Sequence, residues 1–163
     1  MKYFIIPLSL LLLSCASQGS KSISKPDVSS LQNQEQVLSE GTAITSFEMW
    51  NGDRPKGGGF FDTRKTRVST VSPGNGQIRA KTTYNRNDDS SLYEIKQKLD
   101  VELLAGHTYR LKADIVNMCV QLTLISDKSG VVEKTKYKKL GVYAPDLNDS
   151  RYDVIKNSGR CPS

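Results

Sequence analysis

A chain of 163 residues has room for one domain with a core of its own and too little for two. Its 23 Lys and Arg outnumber its 17 Asp and Glu for a formal charge of +6. That balance suits anionic lipid, lipopolysaccharide, teichoic-type polymers or nucleic acid, although both signs are mixed along the chain as on an ordinary soluble surface. A single histidine excludes a multi-His zinc site and leaves any Ser- or Cys-based triad dependent on one imidazole, and no recognisable RNA- or DNA-binding motif occurs.

Lys2 and the apolar run 3–13 open the chain, and Leu12-Leu13-Ser14-Cys15 closes the run: a charged n-region, an apolar h-region and a small residue before a cut site. At ~1.5 Å per residue this run is too short to cross a ~30 Å hydrocarbon core as a helix, so it reads as a targeting segment. Ser14-Cys15-Ala16 also offers the small-x-small pattern of an ordinary secretory cut after Ala16. The cysteine count weighs against that. The three cysteines stand at 15, 119 and 161, and setting Cys15 aside leaves Cys119 and Cys161 as an even pair for an oxidising compartment. The end of the run resembles the bacterial lipobox. The resemblance implies a signal peptide of residues 1–14 and a Cys15 that carries palmitate-type acyl chains, a covalent lipid being the only non-protein group expected. Ala16, in place of the Asp that retains enterobacterial lipoproteins in the inner membrane, implies an outer-membrane, periplasm-facing anchor. Export also sets nucleic acid aside as a partner.

Residues 15–41 are Ser-, Gln-, Lys- and Asn-rich and are broken by Pro26, so they read as the lipidated cysteine and a disordered tether. Within them Leu31, Gln34, Glu35 and Leu38 also have the spacing of one or two helical turns. Over 42–139 the period becomes two, with turn residues every ten or so positions, which predicts one antiparallel β-sandwich. Strands are expected over 43–50 and 65–71, with a Gly/Pro-rich loop over 51–61 between them. A further strand over 78–84 puts Ile78, Ala80, Thr82 and Tyr84 on one face, and Ser72-Pro73-Gly74-Asn75-Gly76 has the chemistry of a tight turn before it.

The alternation over 95–115 predicts a hairpin. A three-residue loop, Ala105-Gly106-His107, sets Leu103 against Tyr109, Val101 against Leu111 and Leu99 against Ala113. The same register pairs Glu102 with Arg110, Asp100 with Lys112 and Lys98 with Asp114, each pair worth a few tenths of a kcal/mol. A second hairpin turns at Asp127-Lys-Ser-Gly130. Residues 140–163 read as an irregular tail that a Cys119–Cys161 bridge would pin, with a buried Cys119 thiol or an intermolecular Cys161 as alternatives.

The stretch Leu99-Asp-Val-Glu-Leu-Leu-Ala-Gly-His-Thr-Tyr-Arg-Leu-Lys-Ala113, followed by Leu122-Thr-Leu-Ile-Ser-Asp127 and Gly130, is similar to a core found in small Gram-negative lipoproteins. The element from Val71-Ser-Pro-Gly74 to Ala80 resembles the turn and strand of PEGA-like and transthyretin-like β-sandwich modules. These resemblances imply a fold and a lipoprotein context and carry no activity.

His107, beside Gly106, reads as a turn residue packing on Tyr109 or bonding a backbone carbonyl. Cys119 near Asp114 is a weaker nucleophile than disulfide half. Arg54-Pro-Lys-Gly-Gly-Gly-Phe-Phe61 lacks the ending of a phosphate loop, but Trp50, Arg54, Lys56, Phe60 and Phe61 combine the aromatic and cationic groups enriched at interface hot spots. Lys134, Lys136, Lys138 and Lys139 read as an edge strand protected by lysine, with a specific anion site as the rival. The expectation is a lipid-anchored, non-enzymatic interaction or scaffolding module with an envelope protein partner; the alternatives are an inhibitor or immunity-type lipoprotein that blocks a cell-wall-targeting protein, and an enzyme.

Overall fold

The computed structural model describes residues 27–55, 68–87, 91–143 and 149–163. Its architecture is the expected one: two sheets, antiparallel but for one strand pair, face each other across a single core. The first sheet contains β1 (Ser29–Gln32), β4 (Val68–Val71), β7 (Thr108–Val116), β8 (Cys119–Ser126), β9 (Gly130–Lys134) and β10 (Lys138–Lys139), with β9 and β10 successive on the outer edge of β8. The second runs β11 (Gly141–Val142), β6 (Leu92–Leu103), β5 (Gly74–Arg86), β3 (Gly41–Trp50) and β2 (Gln34–Leu38). The period-two faces turn inward as expected: Ile78, Ala80, Thr82 and Tyr84 from one sheet meet Tyr109, Leu111, Ala113, Leu122 and Leu124 from the other, all essentially inaccessible to water.

Three expectations are corrected. The polar segment assigned to the tether is structured from Ser29 onward, and neither helical turns nor a tether continues to residue 41. β1 is an interior strand, antiparallel to β4 and parallel to β7. At Asn33 the chain passes to the other sheet, where β2 pairs with β3. Polarity misled here because these side chains replace backbone partners at the crossing: Ser29 Oγ donates to the Leu104 carbonyl at 2.9 Å, Phe47 N–H donates to Asn33 Oδ1 at 3.0 Å, and Ala113 N–H donates to Gln36 Oε1 at 2.6 Å. Leu31, fully buried, and Leu38, partly buried against the core, supply the apolar anchors.

The hairpin expected over 95–115 does not form. β6 pairs with β5, with Leu99 opposite Ile78, and β7 pairs with β8, with Leu111 opposite Leu124. The connection 104–107 is an arch from one sheet to the other. Alternation fixes which side chains turn inward, and both arrangements bury the same ones; it does not fix which strand lies alongside. None of the three charge pairs exists, since Asp100 stands opposite Gln77, Lys112 opposite Thr123 and Asp114 opposite Gln121. The arch is held by backbone bonds from Gly106 N–H to Val28 O and from Ser30 N–H to His107 O, both 2.9 Å, with Gly106 at φ 71°.

The tail is not wholly irregular. A short helix, α1 (Arg151–Asn157), rests Val154 and Ile155 against the core edge, and Cys161 is bonded to Cys119 as expected. Lys139 Nζ adds hydrogen bonds to Asn117 O at 2.9 Å and Ser158 Oγ at 2.7 Å. The β8–β9 hairpin turns at Asp127 to Ser129 as predicted.

Candidate functional site

The loop expected to carry binding begins in a tight turn. Trp50 and Asp53 exchange backbone hydrogen bonds of 2.8 and 2.9 Å around Asn51 and Gly52, whose φ values of 50° and 87° are those of a two-residue type I′ turn. The Asn51-Gly52 dipeptide is the sequence feature that marks it. Asn51 fastens the turn to β5, its N–H donating to Gln77 O and its Oδ1 accepting from Gln77 N–H at 2.8 Å. Trp50 folds over Gly76, where a Cβ would stand 2.6 Å from the indole and 2.2 Å from Asn51 Oδ1, so only glycine fits. The indole is 7 % exposed and belongs to the core. Of the five residues proposed for contact, Trp50 is therefore the foundation and Arg54 stands exposed just beyond it, while Lys56, Phe60 and Phe61 lie outside the described residues. Cys15 lies outside them too.

His107 is half-buried at the arch. Its Nδ1 is 2.9 Å from Ser126 Oγ and its ring stacks beside Tyr109 at a centroid distance of 6.0 Å. Ser126, 2 % exposed, also accepts the N–H groups of Lys128 and Ser129. This oxygen closes the β8–β9 turn. Cys119 is taken by its disulfide. Among the described residues no group of three or more His, Cys, Asp or Glu is placed to hold a metal ion, and no helix is long and apolar enough to cross a membrane.

Two hollows remain. One of about 710 Å³ opens at the disulfide end between Leu38, Tyr84, Val116 and Met118 on the sandwich and Asp153 and Val154 on α1. Its rim holds the β7–β8 turn, where Asn117 and Met118 both take positive φ, 52° and 56°. Met118 tolerates that conformation because its side chain is 8 % exposed against the core end. The other, about 350 Å³, lies between β6 and β9 over Val101, Leu104, Tyr109 and Val132, with Asp100, Glu102 and Glu133 around it.

The outer faces of the sheets are built from opposite charge plans. On the β11-β6-β5-β3-β2 sheet, Arg79 Nε is 3.2 Å from Glu48, Lys96 Nζ is 3.7 Å from the same carboxylate, and Lys81 Nζ is 2.7 Å from Glu94 and 5.2 Å from the Tyr143 ring centroid. On the other sheet the register sets Lys112, Thr123 and Lys134 in one row across three strands, with Gln32, Arg110, Ile125 and Val131 in the next. Arg110, Lys112 and Lys134 are exposed and form no ion pair among the described residues. The acid in this patch, Asp114, accepts a hydrogen bond from Tyr137 Oη, which together with burial and the carboxylate charge raises that phenol above its ordinary range. Lys138 and Lys139 of the basic run sit on β10, with Lys139 committed to the tail.

No family model, no curated protein and no solved structure matches this chain.

Proposed function

We propose that this chain is a lipoprotein of the bacterial outer membrane, held facing the periplasm by an acylated Cys15, and that it acts by binding an envelope protein rather than by catalysis. The observation that carries the reading is the Cys119–Cys161 disulfide: it accounts for two of three cysteines in the chemistry of an oxidising compartment and leaves the cysteine at the end of an export-type segment as the odd one. The corrected fold gives this reading a mechanical form. Only thirteen residues, 16–28, separate Cys15 from β1, a contour of at most ~45 Å. The link enters an interior strand clamped on both sides, so a pull on the anchor is borne by the hydrogen bonds of β1 to β4 and β7. Partner contact is assigned to Arg54 with Lys56, Phe60 and Phe61, beyond the rigid Trp50–Asp53 turn.

The test is growth with a labelled fatty acid. The native chain should take up label and the Cys15→Ser chain should not, while keeping its disulfide; label in the Cys15→Ser chain refutes the anchor. In the anchored protein, Arg54→Ala with Phe60→Ala should weaken crosslinked partner capture by about 2 kcal/mol or more without unfolding.

A further inference from the structure

We propose that the outer face of the sheet containing β1 and β7 is a membrane-apposed surface that binds anionic lipid headgroups. The proposal rests on the anchored reading for its setting and on separate observations for its chemistry. Arg110 and Lys112 on β7 and Lys134 on β9, with β8 between them, project on one face, exposed and without an ion pair among the described residues; Asp114 lies on the same face and Glu133 stands next to Lys134. Gln32, the residue of β1 that stands beside Arg110 on this face, carries no charge and so adds no carboxylate to repel phosphate.

The occupant is a lipid surface and not a soluble polyanion for two reasons. Val131 and Val68, 60 % and 39 % exposed, share this face with the cations. Aliphatic side chains among cations suit a headgroup–acyl boundary and offer a polyanion nothing. The second reason is where the chain emerges. Residues 16–28 lead into β1, the neighbour of β7, and strands stand about 5 Å apart, so the cationic rows lie roughly 5–15 Å from the strand that the link enters. A membrane within reach of that link is within reach of this face. Each Lys or Arg held near an anionic surface strengthens association about five-fold, an effect that salt screens within a Debye length.

The test uses the Cys15→Ser chain, which carries no acyl group, sedimented with vesicles of equimolar phosphatidylglycerol and phosphatidylcholine and with vesicles of phosphatidylcholine alone. The neutral vesicles report whatever residues 3–13 contribute. Binding to the anionic vesicles should exceed this, fall about 100-fold with Arg110→Gln, Lys112→Gln and Lys134→Gln together, and rise about five-fold with Asp114→Asn. Arg79→Gln with Lys98→Gln, on the opposite face, should leave it unchanged. Equal binding to both vesicles, or equal loss from variants of either face, overturns the proposal; so does retention of the anionic excess by the triple variant with an intact disulfide. Because this chain lacks the acyl group, failure here and failure of the fatty-acid labelling are separate results.

Discussion

Two faces of one sandwich carry lysine and arginine in similar number and use them differently. On the β6-β5-β3 side, Arg79, Lys81, Lys96 and Lys98 share the surface with Glu48, Glu94, Asp100 and Glu102, and the first three cations are within 4 Å of a carboxylate. On the β1-β7-β8-β9 side, Arg110, Lys112 and Lys134 form no ion pair among the described residues, with Asp114 two residues from Lys112 and Glu133 next to Lys134. A face with its charges paired gains little from a charged partner, since pairs must be broken before new ones form. A face with unpaired cations holds no internal substitute and is ready for an external anion. Net charge, the quantity read first from the sequence, averages over this difference.

The largest expected effect concerns the one corner of the cationic sheet that is covered. Cys119 lies at the end of β8 with the tail bonded across it, a sequence separation of 42. Replacing both cysteines with serine should cost ~4 kcal/mol of unfolding free energy on the chain-entropy model, read from the denaturant midpoint. Amide exchange should quicken in α1 and at Asn117 while the β5–β6 ladder keeps its protection. Equal loosening of both sheets would show that the tail supports the whole sandwich and not one end of it.

Which residues turn inward was legible, because a buried face imposes period two on composition wherever the strand lies. That is why the strands around Ile78, Leu111 and Leu122 were found with their correct faces. Which strand lies beside which was not legible. The arch at Gly106 and a three-residue hairpin bury identical side chains, and the charge complementarity of Glu102 with Arg110 is an accident of two alternating strands. β1 was missed for the opposite reason: Ser29, Asn33 and Gln36 are polar because they satisfy backbone groups where the chain changes sheets, and composition alone cannot separate such polarity from that of a tether. The same limit governs the sites. The aromatic and cationic loop residues were visible as a cluster, but the burial of Trp50 depends on Gly76, 26 residues away. The row of Lys112, Thr123 and Lys134 exists only once β7, β8 and β9 are in register.

A smaller effect tests the pairing directly. In a double-mutant cycle on Glu48 and Arg79, replacing each with Gln, the coupling should be ~0.5 kcal/mol, within the range for partly exposed pairs, and should shrink in high salt. Lys112→Gln on the other face should change stability by no more than ~0.5 kcal/mol, as an exposed substitution with no partner to lose. A cost for Lys112→Gln equal to that of Arg79→Gln would mean that the cationic face is also paired, and the contrast between the sheets would fail.

The smallest effect bears on Asp114, the acid that dilutes the cationic face. Tyr137 donates its phenolic hydrogen to this carboxylate, and the hydrogen bond first, then burial, then the negative charge all raise the phenol pKa. An acid whose folded pKa lies above its unfolded value near 10 stabilises the fold while protonated, so this contribution is complete below pH ~10 and is lost as pH climbs through the raised value. Tyr137 is partly exposed, so the change in stability will be slight, and the direct readout is the titration of Tyr137 itself by NMR of ring-labelled protein. Its midpoint should lie above those of free tyrosine and of the Asp114→Asn chain. A midpoint that Asp114→Asn does not move would mean that the carboxylate stands free, offsets Arg110 and Lys112 at full strength, and leaves this face weaker toward anions than its register suggests.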